Sequence, residues 1–124
     1  PNQAFKVLKR ALPGPYTFIF DASKEIPKLM LRDNRRTIGI RMPDHPIALA
    51  LVADLDEPLL VTSFKGPDGN YLSDAVEIED TMRGKVDFVI DGGPVFPEPS
   101  SIIDFTSGEP EVIREGKGDP WGIL

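Results

Sequence analysis

The sequence predicts an α/β domain built on a mixed, twisted open sheet with flanking helices. Three observations carry this reading. The apolar runs are short and punctuated by Pro and Gly, as strands alternating with modest helices require. Helix-spaced segments separate the early strand candidates, which implies parallel crossovers there. The late strand candidates are joined by short Pro- and Gly-rich turns, which suit antiparallel neighbours. At 124 residues with 40% apolar content, the chain can bury one core. No repeat or long linker divides it, so residues 1–124 are read as a single domain.

The elements follow in order. "FKVLKRAL" (Phe5 to Leu12) runs into Pro13-Gly14-Pro15 like the tail of a helix, and the chain opens on Pro1 rather than Met, so it reads as a fragment. "YTFIFDA" (Tyr16 to Ala22) is a strand after that turn. "KEIPKLMLR" follows Ser23, an N-cap candidate, with Pro27 placed near the helix start, where the missing N–H is tolerated. "RTIGIRM" (Arg36 to Met42) alternates as a strand does, and "DHPIALALVADL" is expected to be a helix capped by Asp44. "PLLVTSF" (Pro58 to Phe64) is the next strand candidate. In "SDAVEIEDTMRG", Asp74 and Glu77 stand three apart as in a capping box and Gly84 closes the helix. "VDFVIDGG", "SSIIDF" and "EVIREG" complete the strands.

Composition excludes several functions. With 14 Lys+Arg against 20 Asp+Glu the net charge is -6, which disfavours nucleic-acid binding through overall charge, although a local basic face is still open. The absence of Cys removes disulfides and thiol chemistry. The lone His45 rules out a histidine-rich metal site, and between Asp44 and Pro46 at a helix start it reads as a surface capping residue rather than a triad base. Glu77, Glu79 and Asp80 read as a solvated helix face. No stretch approaches the roughly 18 apolar residues of a spanning helix, and no signal peptide opens the chain. The expectation is a soluble cytoplasmic protein with no membrane partner.

Four polar clusters fall at strand ends, where open α/β sheets place their ligands. Thr17, on the strand after the Pro-Gly-Pro turn, reads as a ligand contact or as a β-favouring residue. Arg41 ends a strand before Pro43, and its planar fork suits phosphate or carboxylate; an exposed arginine beside Asp44 is the alternative. Ser63, with Thr62 and Lys65, offers hydroxyl and ammonium donors without any phosphate-wrapping Gly-rich loop, and reads equally as a strand end before the Gly66-Pro67-Asp68-Gly69 turn. "EPSSIIDF" and "VIREGKGD" supply Ser100, Ser101 and Arg114, or a solvated strand edge.

Six blocks, "PGPYTFIF", "RTIGIRMPDHPIALAL", "EPLLVTS", "VDFVIDGG", "PSSIIDF" and "VIREG", stand from about Leu12 to Gly118 in an order and spacing that resembles the YrdC/YciO family, and its YciO branch most. The family includes threonylcarbamoyl-AMP synthases, which combine ATP, threonine and bicarbonate, releasing pyrophosphate, for modification of adenosine in tRNA. The resemblance implies a YrdC/YciO-like sheet, ATP as substrate and Mg²⁺ brought by ATP. It further implies Thr17 near the substrate end and Arg41, Ser63, Ser101 and Arg114 at the nucleotide. Where synthases carry Ser-Ala-Asn this chain has Ser63-Phe64-Lys65, so an amide is replaced by an ammonium that accepts no hydrogen bond; Lys65 can attract phosphate as a point charge.

The family's N-terminal third, with its P-T-D-T-x-Y-G-L strand and basic K-x-R segment, has no counterpart here. Unpaired sheet edges would then favour self-association. A second reading is a non-catalytic module for tRNA or double-stranded RNA, carried by the local basic run Lys24, Lys28, Arg32, Arg35, Arg36 and Arg41.

Overall fold

The computed structural model describes residues 2–31, 35–95 and 98–124, and these fall into two compact units, one formed by residues 1–58 with 99–124 and one by residues 59–98. The first unit is built on a four-stranded sheet of β1 (Tyr16–Asp21), β2 (Thr37–Arg41), β3 (Ser101–Asp104) and β4 (Glu111–Arg114), in the spatial order β2-β1-β3-β4. Beside these stand helices α1 (Asn2–Ala11), α2 (Pro46–Leu55) and, after β4, the short α4 (Pro120–Ile123), while α3 (Ala75–Thr81) belongs to the second unit. A mixed open sheet with flanking helices is therefore what the chain forms.

The central pair β1 and β3 is parallel, and both outer pairs are antiparallel. The expected parallel crossover between β1 and β2 is not made. The described residues of "KEIPKLMLR" carry a 3₁₀ turn at Lys28–Met30 instead of a helix long enough to cross the sheet. Next to the β1–β2 ladder, Ala22 N–H donates to Arg36 O at 2.7 Å. Ser23 still caps locally, its Oγ accepting from Glu25 N–H.

Alternation along β1 sorts its side chains. Tyr16, Phe18 and Phe20 share one face, where Phe18 and Ile103 are fully buried and pack with Val7 and Ala11 of α1. Phe20 stacks on Phe105 with ring centroids 5.4 Å apart. The opposite face carries Thr17, and this division positions the site.

Three further expectations are corrected. α2 is capped by His45, whose Nδ1 accepts from Ile47 N–H at 3.3 Å, rather than by Asp44, because the helix begins one residue later, on Pro46. Residues 58–64 and 86–93 form no strand. A strand exists only through a ladder to a neighbour, and the described residues of the second unit supply one bridge alone, between Lys65 and Tyr71. Asp74 does cap α3, its carboxylate accepting from Val76 and Glu77 N–H.

Candidate functional site

The first unit presents a polar row across its sheet. Register places Arg41 of β2 opposite Thr17 of β1, Thr17 beside Ile102 of β3, and Ile102 opposite Arg114 of β4. Residues directly across a ladder point to one face, so two guanidiniums flank a threonine hydroxyl. With strands about 4.8 Å apart, the two arginine Cα atoms stand roughly 14 Å from each other. That span suits an elongated anionic ligand better than a single small ion.

Arg114 reaches its place through a bulge. The register runs Asp104 to Glu111 and Ile103 to Val112, then jumps to Ile102 opposite Arg114. One extra residue re-aims the strand end. Without it Ile113 would occupy the row.

Hydrogen bonds through Ser100 join Thr17 and Arg114 into one cluster. Arg114 Nε and Nη2 both donate to Ser100 O, at 3.0 and 2.8 Å, and Nη2 approaches Ser100 Oγ at 3.5 Å. Ser100 Oγ lies 2.7 Å from Thr17 Oγ1. When the arginine donates to Ser100, Ser100 donates to Thr17, and the Thr17 proton is left for a ligand. Ser100 is buried while Thr17 is half-buried and Arg114 and Arg41 are exposed, so the open end of this chain of donors faces outward.

Ser101 stands on the other face. Its hydroxyl is fully buried, donates to Gly118 O and accepts from Gly116 N–H at 2.9 Å. Lys117 N–H adds a bond to Pro99 O at 2.9 Å. Ser101 thus clamps the Gly116 to Gly118 loop against the start of β3. A Cβ on Gly116 would fall 2.6 Å from the Ser100 carbonyl carbon, and one on Gly118 2.6 Å from Tyr16 Cζ. Only glycine allows these backbone approaches.

The second unit carries Ser63 and Lys65. Both are exposed, and Lys65 Nζ sits 5.0 Å from the centre of the Tyr71 ring. The intervening tip is held by Asp68, whose carboxylate accepts from the backbone and side-chain amides of Asn70 at 3.0 and 3.1 Å. The Asn70 backbone N–H, then its side-chain amide, hold the Asp68 carboxyl below its usual pKa. Of the basic run, Lys24, Lys28, Arg35, Arg36 and Arg41 are exposed, and Arg32 lies outside the described residues. Ser100 is the member of the cluster that its sequence context understated; its signal was the period-2 offset from Ser101, which sends the two hydroxyls to opposite faces.

A sequence model of the Sua5/YciO/YrdC family, described as telomere recombination, matches residues 1–116. The chain belongs to this family. The uncharacterized protein YciO of Escherichia coli K12 is 44% identical over 119 residues, covering 95% of this chain and 58% of its own length. Its crystal structure superposes with a TM-score of 0.89 at 43% identity, over 100% of this chain and 61% of that one. A threonylcarbamoyl-AMP synthase of Pyrococcus abyssi is 30% identical over 94% of this chain and 34% of its own. The crystal structure of P. abyssi Sua5 complexed with L-threonine gives a TM-score of 0.76 at 30% identity, with the same coverage. The chain therefore spans about three-fifths of the length of YciO. Among the described residues no helix is long and apolar enough to cross a membrane.

Proposed function

We propose that the full-length protein binds ATP and, with threonine and bicarbonate, forms threonylcarbamoyl-AMP and pyrophosphate for modification of tRNA adenosine. The observation that carries this is the Thr17–Ser100–Arg114 cluster, with Arg41 across the register from Thr17. Arg41 and Arg114 supply forked donors for the phosphates. Thr17 offers its hydroxyl to the amino-acid end, in keeping with a relative whose structure holds L-threonine. Ser101 serves the nucleotide indirectly, by fixing the Gly116 to Gly118 loop. Ser63 is a nucleotide contact by family resemblance, and Lys65, which replaces the family's Asn, attracts phosphate as a point charge. Mg²⁺ enters with the phosphates of ATP, and no side chain of the chain is given to it.

Pyrophosphate release from ATP that depends on both threonine and bicarbonate is the expected outcome. Arg114→Ala removes charge-assisted bonds worth about 1.5–3 kcal/mol, so ATP affinity should fall roughly ten- to a hundredfold. Ser63→Ala should lower it by less. Absence of ATP binding by the unmodified protein, or unchanged isotherms for both variants, would reject this function.

A further inference from the structure

Lys65 stands where its immediate surroundings, rather than the sheet, decide what its charge can do. The hairpin around it is closed by Leu72 N–H donating to Phe64 O at 3.1 Å and Gly66 N–H donating to Asn70 O at 2.8 Å. These bonds flank the Lys65/Tyr71 bridge, which makes Lys65 and Tyr71 a non-hydrogen-bonded antiparallel pair. Side chains of such a pair lie closest together. The turn enforces this register. Gly69 N–H donates to Gly66 O at 3.0 Å, Pro67 presets the first central dihedral, and Gly69 takes φ +81°, which a side chain would resist. A three-residue loop of this kind leaves no slack for slippage.

We propose that Tyr71 is a positioning residue that holds the Lys65 ammonium ready for a phosphate of the nucleotide. A free lysine stem must lose most of its rotamer freedom when its ammonium meets an anion. The ring face restrains that stem beforehand through cation–π attraction. Its face occupies one side of the ammonium, and the remaining N–H bonds stay available for oxygen acceptors. Ser63, two residues earlier in the chain, is likewise exposed. The inference rests on the nucleotide reading above and adds to it the residue that makes an ammonium workable at this position.

The test uses the full-length protein, with ATP and adenosine as probes and Tyr71→Val, Tyr71→Phe and Lys65→Met as variants. Valine keeps β propensity at the bridge, and the ladder bonds belong to neighbouring residues. Tyr71→Val should weaken ATP about two- to fivefold and leave adenosine unchanged, and Tyr71→Phe should restore ATP affinity. In the Lys65→Met background, Tyr71→Val should have no further effect, because the pair acts as one unit. The Lys65 ε-methylene protons should show an upfield ring-current shift that Tyr71→Val abolishes without any ligand. ATP binding that Tyr71→Val leaves unaltered, or that it weakens equally in the Lys65→Met background, overturns the positioning role alone. Unmodified protein that keeps the ring-current shift and binds no ATP overturns the nucleotide reading, and with it the ligand proposed for this pair.

Discussion

The centre of the four-stranded sheet buries Phe18 and Ile103 completely, whereas Leu60, Val61 and Phe88 of the second unit are 59%, 65% and 75% exposed. The residue types are equally apolar. What separates the regions is backbone pairing: β1 is bonded on both edges, to β2 and to β3, while residues 58–64 and 86–93 belong to no ladder. A paired backbone holds a side chain at a fixed height over a partner layer. The candidate cluster stands on the paired region, where Thr17, Ser100 and Arg114 are joined by hydrogen bonds.

Two phenylalanines, one in each region, should differ most in their effect on stability. Phe18→Ala should cost about 3–5 kcal/mol, and Phe88→Ala should stay within about 0.5 kcal/mol, both read by chemical denaturation. Equal losses would mean that Phe88 is packed as tightly as Phe18. Two glycines sharpen the same contrast at smaller cost. Gly116→Ala drives a Cβ into the Ser100 carbonyl, backbone against backbone, and should destabilise by about 1–3 kcal/mol while weakening ATP. Gly66→Ala meets Leu72 Cδ2 at 3.2 Å and Asp68 Oδ1 and Leu72 Cγ at 3.4 Å, side-chain atoms that can yield. Its effect should be the smaller of the two. Asp74→Ala is expected to cost about 1 kcal/mol and to raise amide exchange locally in α3, because two N–H groups lose their acceptor.

Much of the first unit is legible from residue order alone. "YTFIFDA", "RTIGIRM", "SSIIDF" and "EVIREG" contain the four strands, since alternation with β-branched and aromatic residues reports a half-buried pleat. Asp74 is legible as a cap for the same local reason. The failures share a different cause. "PLLVTSF" and "VDFVIDGG" have strand composition, yet composition names no partner, and none among the described residues of their unit pairs with them. The antiparallel β1 and β2 pairing escapes notice because Pro27 shortens the expected helix to one 3₁₀ turn. Thr17, Arg41 and Arg114 are legible as polar strand-end residues, but their alignment in one row is not, since the register across β4 depends on a bulge at Ile113. Ser101 illustrates the limit at the site. Its neighbour Ser100 differs from it by one position and by the face it occupies.

The most direct test of the account is residue-resolved amide exchange of the full-length protein with and without ATP. Slower exchange at the row and its clamp, Thr17, Arg41, Ser100 and Arg114 to Gly118, is the result the account predicts, because ordered contacts suppress local opening. Unchanged exchange at Ser100 and Arg114 to Gly118 at saturating ATP would contradict it.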